Sequence, residues 1–313
     1  MKSRLFALAV FTALVSSAFS AEIPTISPLM VNGASKNRVN IVFLSEAYTV
    51  SQLGTYANDV NIAVEELFKR TPFKEYKQFF NVYAISVASK DSIVLAVGKK
   101  EELRTYFGRW GTENYSIEKI ASVAKSFFAD KDPIVCVLLI NDGRFGGGDS
   151  SQPQPQSLSV IGISALGPGR MRVNSAKPYF KDEYASSTAI ELGHSFAGLR
   201  DEHASEADPA LKPGKTESDF GSRSEFPNVT TETNPSLIKW KYWIDPTTPI
   251  PTPKSPEFAG VVGLFEGAYD FSRGWYRPQL KCTMATYRPD IEPMPPFCNG
   301  LQRGYCKGYL QIC

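Results

Sequence analysis

Histidine is the scarcest component of this chain: there are 2 in 313 residues, His194 and His203. Any imidazole chemistry is therefore confined to one short stretch. Other absences exclude whole classes. There is no G-x-S-x-G elbow and no cysteine–histidine pair to suggest a rival hydrolase. There is no C-x-x-C spacing of the kind that binds structural zinc, and no internal repeat. The surplus charge is only +2, so the electrostatics favour neither nucleic acid nor an anionic membrane surface. Beyond the first twenty residues, no apolar run reaches the ~20 residues that a bilayer requires.

What is present begins with a signal for export. Lys2 and Arg4 precede the apolar stretch Leu5–Val15, and Ala18 and Ser20 are small residues at the positions a signal peptidase reads. Residues 1–20 thus read as a secretory signal peptide, too short for an anchor. Removing Lys2 and Arg4 takes the 34 basic residues to 32, equal to the 32 acidic ones. The exported chain is neutral, has no membrane span, and is long enough for one large domain or two lobes sharing a cleft. Its destination is the medium or the cell envelope.

Cysteine usage agrees with export. Cys136 lies inside the apolar run Ile134–Ile140 and reads as a core thiol. Cys282, Cys298, Cys306 and Cys313 crowd the C-terminal end, a pattern read as two disulfides stapling a loop-rich lobe. Three pairings are open, of which Cys282–Cys298 with Cys306–Cys313 is preferred. Asn114 and Asn228 head N-x-S/T sequons, glycan acceptors if the host is eukaryotic.

Periodicity organises the chain up to about Arg200. Val39–Ser45 reads as a buried strand, 51–70 as an amphipathic helix ended by Pro72, and Phe79–Ser89 as a second strand. Tyr115–Phe128 reads as a helix, Ile134–Ile140 as a third strand, and the glycine- and proline-rich Gly146–Ser157 as a loop. Leu158–Ala165 returns as a strand. Tyr184–Ala197 is helical, with Gly198 placed to end it. Past Arg200, proline and glycine become dense and no long periodic segment follows. The class is α/β (α+β), with a lobe of mixed sheet and helices, 21–200, and an irregular disulfide-stapled lobe, 201–313, in one domain.

The chemistry concentrates between Ile190 and His203. Glu191 and His194 occupy the second and fifth places of H-E-x-x-H, in which two histidines one helical turn apart bind zinc and the glutamate acts as general base. Gly198 lets the chain turn, so that Asp201 can return as a further ligand. The first place, however, holds Ile190, whose side chain has no electron pair to donate.

The segment Glu191–Leu199 followed by Asp201 and Glu202 resembles the zinc segment of the bacterial IgA metallopeptidases, secreted zinc endopeptidases of metzincin-like architecture. The resemblance extends in order through Val42–Thr49, Asn81–Ser89, Val137–Gly148, Pro227–Val229 with Trp240, Tyr276–Pro278, Cys282–Met284 and Pro296–Cys298. It implies one zinc site with His194 as second ligand, Asp201 as third and Glu191 as general base. Met284 becomes an apolar floor beneath the metal, Glu202 an acceptor orienting His194, and Tyr287 a donor to an oxyanion. Two positions depart from the pattern: Ile190 replaces the first histidine, and His203 stands where an aromatic residue usually follows. The resemblance then implies a pseudopeptidase with a weakened or lost zinc site, keeping a cleft for a protein or peptide. Two alternatives stay open: an active zinc endopeptidase in which His203 compensates, and an exported structural or adhesive protein with no working cleft.

Overall fold

The computed structural model describes residues 23–70, 73–92, 104–109, 114–141, 145–149, 160–168, 180–221 and 226–285. In chain order its elements begin with β1 (Thr25–Met30), β2 (Val39–Glu46), α1 (Leu53–Leu67), α2 (Phe73–Tyr76) and β3 (Phe80–Ser86). They continue with β4 (Gly108–Arg109), β5 (Asn114–Tyr115), α3 (Ile117–Lys125), β6 (Ile134–Ile140), β7 (Phe145–Asp149), β8 (Val160–Pro168) and α4 (Phe180–Ala197). The short pair β9 (Phe265–Ala268) and β10 (Phe271–Arg277) follows, and a single 3-10 turn, Thr283–Ala285, closes the described chain.

Six strands form one mixed sheet in the order β1-β3-β2-β6-β8-β7. Its centre is parallel, as β2 pairs with both β3 and β6, and β6 with β8. The edge strands β1 and β7 run antiparallel to their neighbours. All positions of β2 and β6 are buried, the pattern expected of strands covered on both faces. Alternate residues divide between two cores. Val39, Ile41 and Phe43 join Val135, Val137 and Leu139 under α1 and α4, whereas Val42 and Leu44 join Cys136 and Leu138 under α3. The sheet is thus sandwiched between helices.

Several sequence expectations match these elements closely, the strand Ile134–Ile140 and the end of α4 at Ala197 most of all. Cys136 is a buried free thiol, and burial pushes its pKa up to about 12. Other elements correct the sequence reading. The glycines expected in a loop contribute to β7, where Gly146, Gly147 and Gly148 pair with Gly167, Leu166 and Ala165. An edge strand can be held by its backbone alone, so it needs no apolar side-chain pattern. β1 escaped notice because it is mostly exposed and contains Pro28, which is tolerated at a sheet edge.

Asn228 is fully buried, with its amide nitrogen donating to Arg200 O and Glu202 Oε1, each at 2.8 Å. It cannot serve as a glycan acceptor in the folded chain. Cys282 is buried and disulfide-bonded. Residues 1–20, read from the sequence as a signal peptide, and Tyr287, Cys298, Cys306 and Cys313 lie outside the described residues. No helix among the described residues is long and apolar enough to cross a membrane.

Candidate functional site

Helix α4 lies against α1 and across β7 and β8. Thr188 through Gly193 are all buried, so this part of the helix is enclosed rather than amphipathic. Its end is an αL cap: Gly198 N donates to His194 O, and Leu199 N donates to Gly193 O, both at 3.0 Å. Gly198 adopts φ +63°, a conformation open to glycine at little cost. The cap folds Leu199 back onto Gly193 and sends Asp201 past His194.

Each side chain of the motif can now be placed. Ile190, one turn before His194, is 2% exposed and packs in the same apolar cluster as Phe196, Leu199 and Met284. Glu191 is also 2% exposed, and burying a carboxylate costs several kcal/mol unless other groups stabilise it. Met284 sits directly under the helix: a Cβ added at Gly193 would meet its sulfur at 2.8 Å. His194 Nδ1 lies 2.7 Å from Leu199 O. A carbonyl only accepts, so Nδ1 carries the hydrogen and Nε2 is the atom presented to Asp201.

His194 Nε2 is 3.4 Å from Asp201 Oδ1, and His203 Nε2 approaches the same oxygen to 3.7 Å. Both contacts are longer than the ~2.7–3.2 Å of a good N–H···O bond, and this buried oxygen accepts no hydrogen bond. Burial is the strongest influence on His194 and lowers its pKa. The adjacent carboxylate of Asp201, the carbonyl of Leu199 and the charge of Glu191 together outweigh it and hold the imidazole at about 9. Burial raises Asp201, but His194, His203 and Arg200 outweigh it and keep the carboxylate below its usual range.

Residues past the helix complete the arrangement. His203 Nδ1 stands 2.9 Å from Asp270 Oδ1. Glu202 is fully buried, and burial lifts it to about 8 against the opposing influence of Asn228 and Arg277. Its Oε1 accepts from Asn228 at 2.8 Å, and its backbone carbonyl accepts from Arg277. The acceptor behind His194 is therefore Leu199 O, and the carboxylate of Glu202 is engaged by Asn228. Asp270, Asn228 and Arg277 were not among the sequence candidates. Asp270 becomes legible only once β9 and β10 are known to form a hairpin with a two-residue tip. Next to His203, from Ala204 onward, opens a cleft of about 540 Å³ lined by Ser205, Glu206, Lys254, Glu266 and Arg273.

A buried glutamate and a histidine on one helix, an aspartate returned by a glycine cap and a methionine seated beneath define a metallopeptidase-like architecture. The IgA peptidase M64 family profile matches residues 28–258, and the chain belongs to that family. The matched segment contains Ile190 through His203 and ends before Asp270 and Met284. No curated protein matches the chain.

Membership implies a metal, typically zinc, and the residues can be tested against it. Ile190 has nothing to offer. His194, Asp201 and His203 supply two imidazoles and a carboxylate, a donor set that suits zinc. Donor atoms ~2.0–2.1 Å from a four-coordinate zinc stand roughly 3.3–3.4 Å from one another, close to the 3.4 Å and 3.7 Å separations about Asp201 Oδ1. Among the described residues, no three such side chains are placed, as they stand, to hold a metal ion; what His194, Asp201 and His203 share is one carboxylate oxygen.

Proposed function

We propose that this chain is an exported pseudopeptidase of the IgA peptidase M64 family, which keeps the family scaffold as a protein- or peptide-binding surface and hydrolyses peptide bonds poorly or not at all. The observation that carries this reading is Ile190. It is buried in the apolar core one helical turn before His194, at the place where H-E-x-x-H supplies its first ligand. A bound zinc lowers the pKa of its water and so supplies the nucleophile. Glu191 is the residue of this chain that would take the proton from it, and Met284 the apolar floor. The cleft beginning at Ala204 supports retained binding. Export through residues 1–20 and stapling of the C-terminal lobe by Cys282, Cys298, Cys306 and Cys313 belong to the same reading.

The deciding experiment compares hydrolysis of an unfolded, fluorescently labelled protein by the zinc-repleted wild type, Glu191→Gln and Ile190→His. Wild type is expected to match Glu191→Gln, with turnover gained in Ile190→His. Wild-type turnover that disappears in Glu191→Gln would overturn the proposal in favour of an active endopeptidase built on His194, Asp201 and His203.

A further inference from the structure

We infer that His203 replaces the ligand lost at Ile190, so that His194, Asp201 and His203 bind one divalent transition-metal ion, with Asp270 as the positioning residue for His203. The inference deepens the reading above, since it concerns the same altered site, but it stands on its own geometry. Both histidines present Nε2 to a single oxygen of Asp201. In both, Nδ1 faces a group that can only accept, Leu199 O at 2.7 Å and the Asp270 carboxylate at 2.9 Å. Each ring is thereby fixed in the tautomer whose Nε2 carries the lone pair when neutral. A ligand imidazole with its other nitrogen on a carboxylate or backbone carbonyl is the usual outer-shell arrangement of a metal-bound histidine.

The hairpin tip is built to hold this arrangement. Tyr269 and Asp270 adopt φ +53° and +58°, left-handed conformations that cost non-glycine residues energy and persist only where the surroundings enforce them. Tyr269 is held among Phe226, Phe271 and Trp275. The tip is also tied to the ligand segment, as Tyr269 N donates to Asp201 O at 3.1 Å and Asp270 N to His203 O at 3.2 Å. The strained turn thus presents the carboxylate of Asp270 to the ring of His203. That both histidines of the whole chain meet at one aspartate accords with the same assignment.

The test uses the full mature chain, stripped by a chelator and dialysed against zinc or cobalt. Metal per chain is measured by elemental analysis, and the ligand field is read from the visible spectrum of bound cobalt. Wild type is expected to hold about one ion per chain, and His203→Asn to lose it while keeping its far-ultraviolet circular dichroism. Asp270→Asn should weaken affinity by roughly 10–100-fold, the usual effect of losing an outer-shell partner. Because the side chains of His203 and Asp270 are 37% and 67% exposed, neither substitution threatens the core. Metal retained undiminished in His203→Asn would overturn the inference. A metal-free wild type beside a metal-loaded Ile190→His would also overturn it while leaving the pseudopeptidase reading intact. Wild-type hydrolysis with metal bound would do the reverse.

Discussion

At the scale of single residues, the closest fit in the site is between Gly193 and Met284. Two effects compete if Gly193 becomes alanine. Replacing a mid-helix glycine normally stabilises a helix by about 1 kcal/mol. Here the new methyl would lie 2.8 Å from a sulfur that is 1% exposed, and overpacking of this kind costs about 1–3 kcal/mol. Crowding should therefore prevail: Gly193→Ala is expected to lower stability by about 1 kcal/mol in urea unfolding. In a Met284→Ala background the same substitution should become neutral or stabilising, because the atom it meets has gone. A stabilising effect in the wild-type background would mean that Met284 is not seated under the helix. The same contact explains why the floor is a methionine, whose unbranched side chain can lie flat beneath a residue with no side chain of its own.

At the scale of elements, the segment between α4 and the cleft has no regular structure, and Asn228 holds it in place. Its Oδ1 accepts from Arg200 N at 2.8 Å, while its amide nitrogen donates to Arg200 O and Glu202 Oε1, each at 2.8 Å. Truncation would leave buried polar groups on Arg200 and Glu202 without these bonds, at about 1–3 kcal/mol each. Asn228→Ala should cost about 3 kcal/mol in denaturant unfolding and speed amide exchange at Arg200 and Glu202. Unchanged exchange there would show that the cap at Gly198 positions Asp201 alone. The sequence revealed what repeats and hid what does not. Ile134–Ile140 reads as a strand because every position is apolar, and α4 ends where a glycine meets a turn. β1 and β7 were hidden because edge strands depend on backbone pairing, which leaves little trace in side-chain pattern. In the site, Glu191, His194, Asp201 and His203 were legible because a spacing rule joins them. Asn228 reaches Glu202 and Asp270 reaches His203 across 26 and 67 positions of chain, and no local pattern signals contacts at that range. Asn228 even carried a misleading signal, a sequon on a side chain already engaged inside the protein.

At the scale of the whole molecule, the site lies where the sheet and helices that end at Ala197 meet the less regular chain beyond residue 200, and the contacts between them indicate cooperative unfolding. Cys282 and Met284 belong to the apolar cluster that also contains Val137, Ile190 and Leu199. Arg200 N donates to Asn228 Oδ1, and Asn228 Nδ2 donates back to Arg200 O, each at 2.8 Å. Separating the two parts of the chain would expose one wall of the main core, so neither should open alone. The two halves can be followed separately. The long helices α1, α3 and α4 all end by Ala197, whereas Trp240, Trp243 and Trp275 all lie beyond residue 200. With Trp110 replaced by phenylalanine, far-ultraviolet circular dichroism reports chiefly the first half and tryptophan fluorescence the second. Coincident denaturant midpoints are expected, as for a two-state unit. A fluorescence transition that precedes the helical one would mean that the chain beyond residue 200 unfolds first. It would then carry Asp201, His203 and Asp270 away from His194, so any ligand of these residues should raise the earlier midpoint most. A single shared transition instead makes the geometry around Asp201 as stable as the core on which Ile190 and Met284 pack.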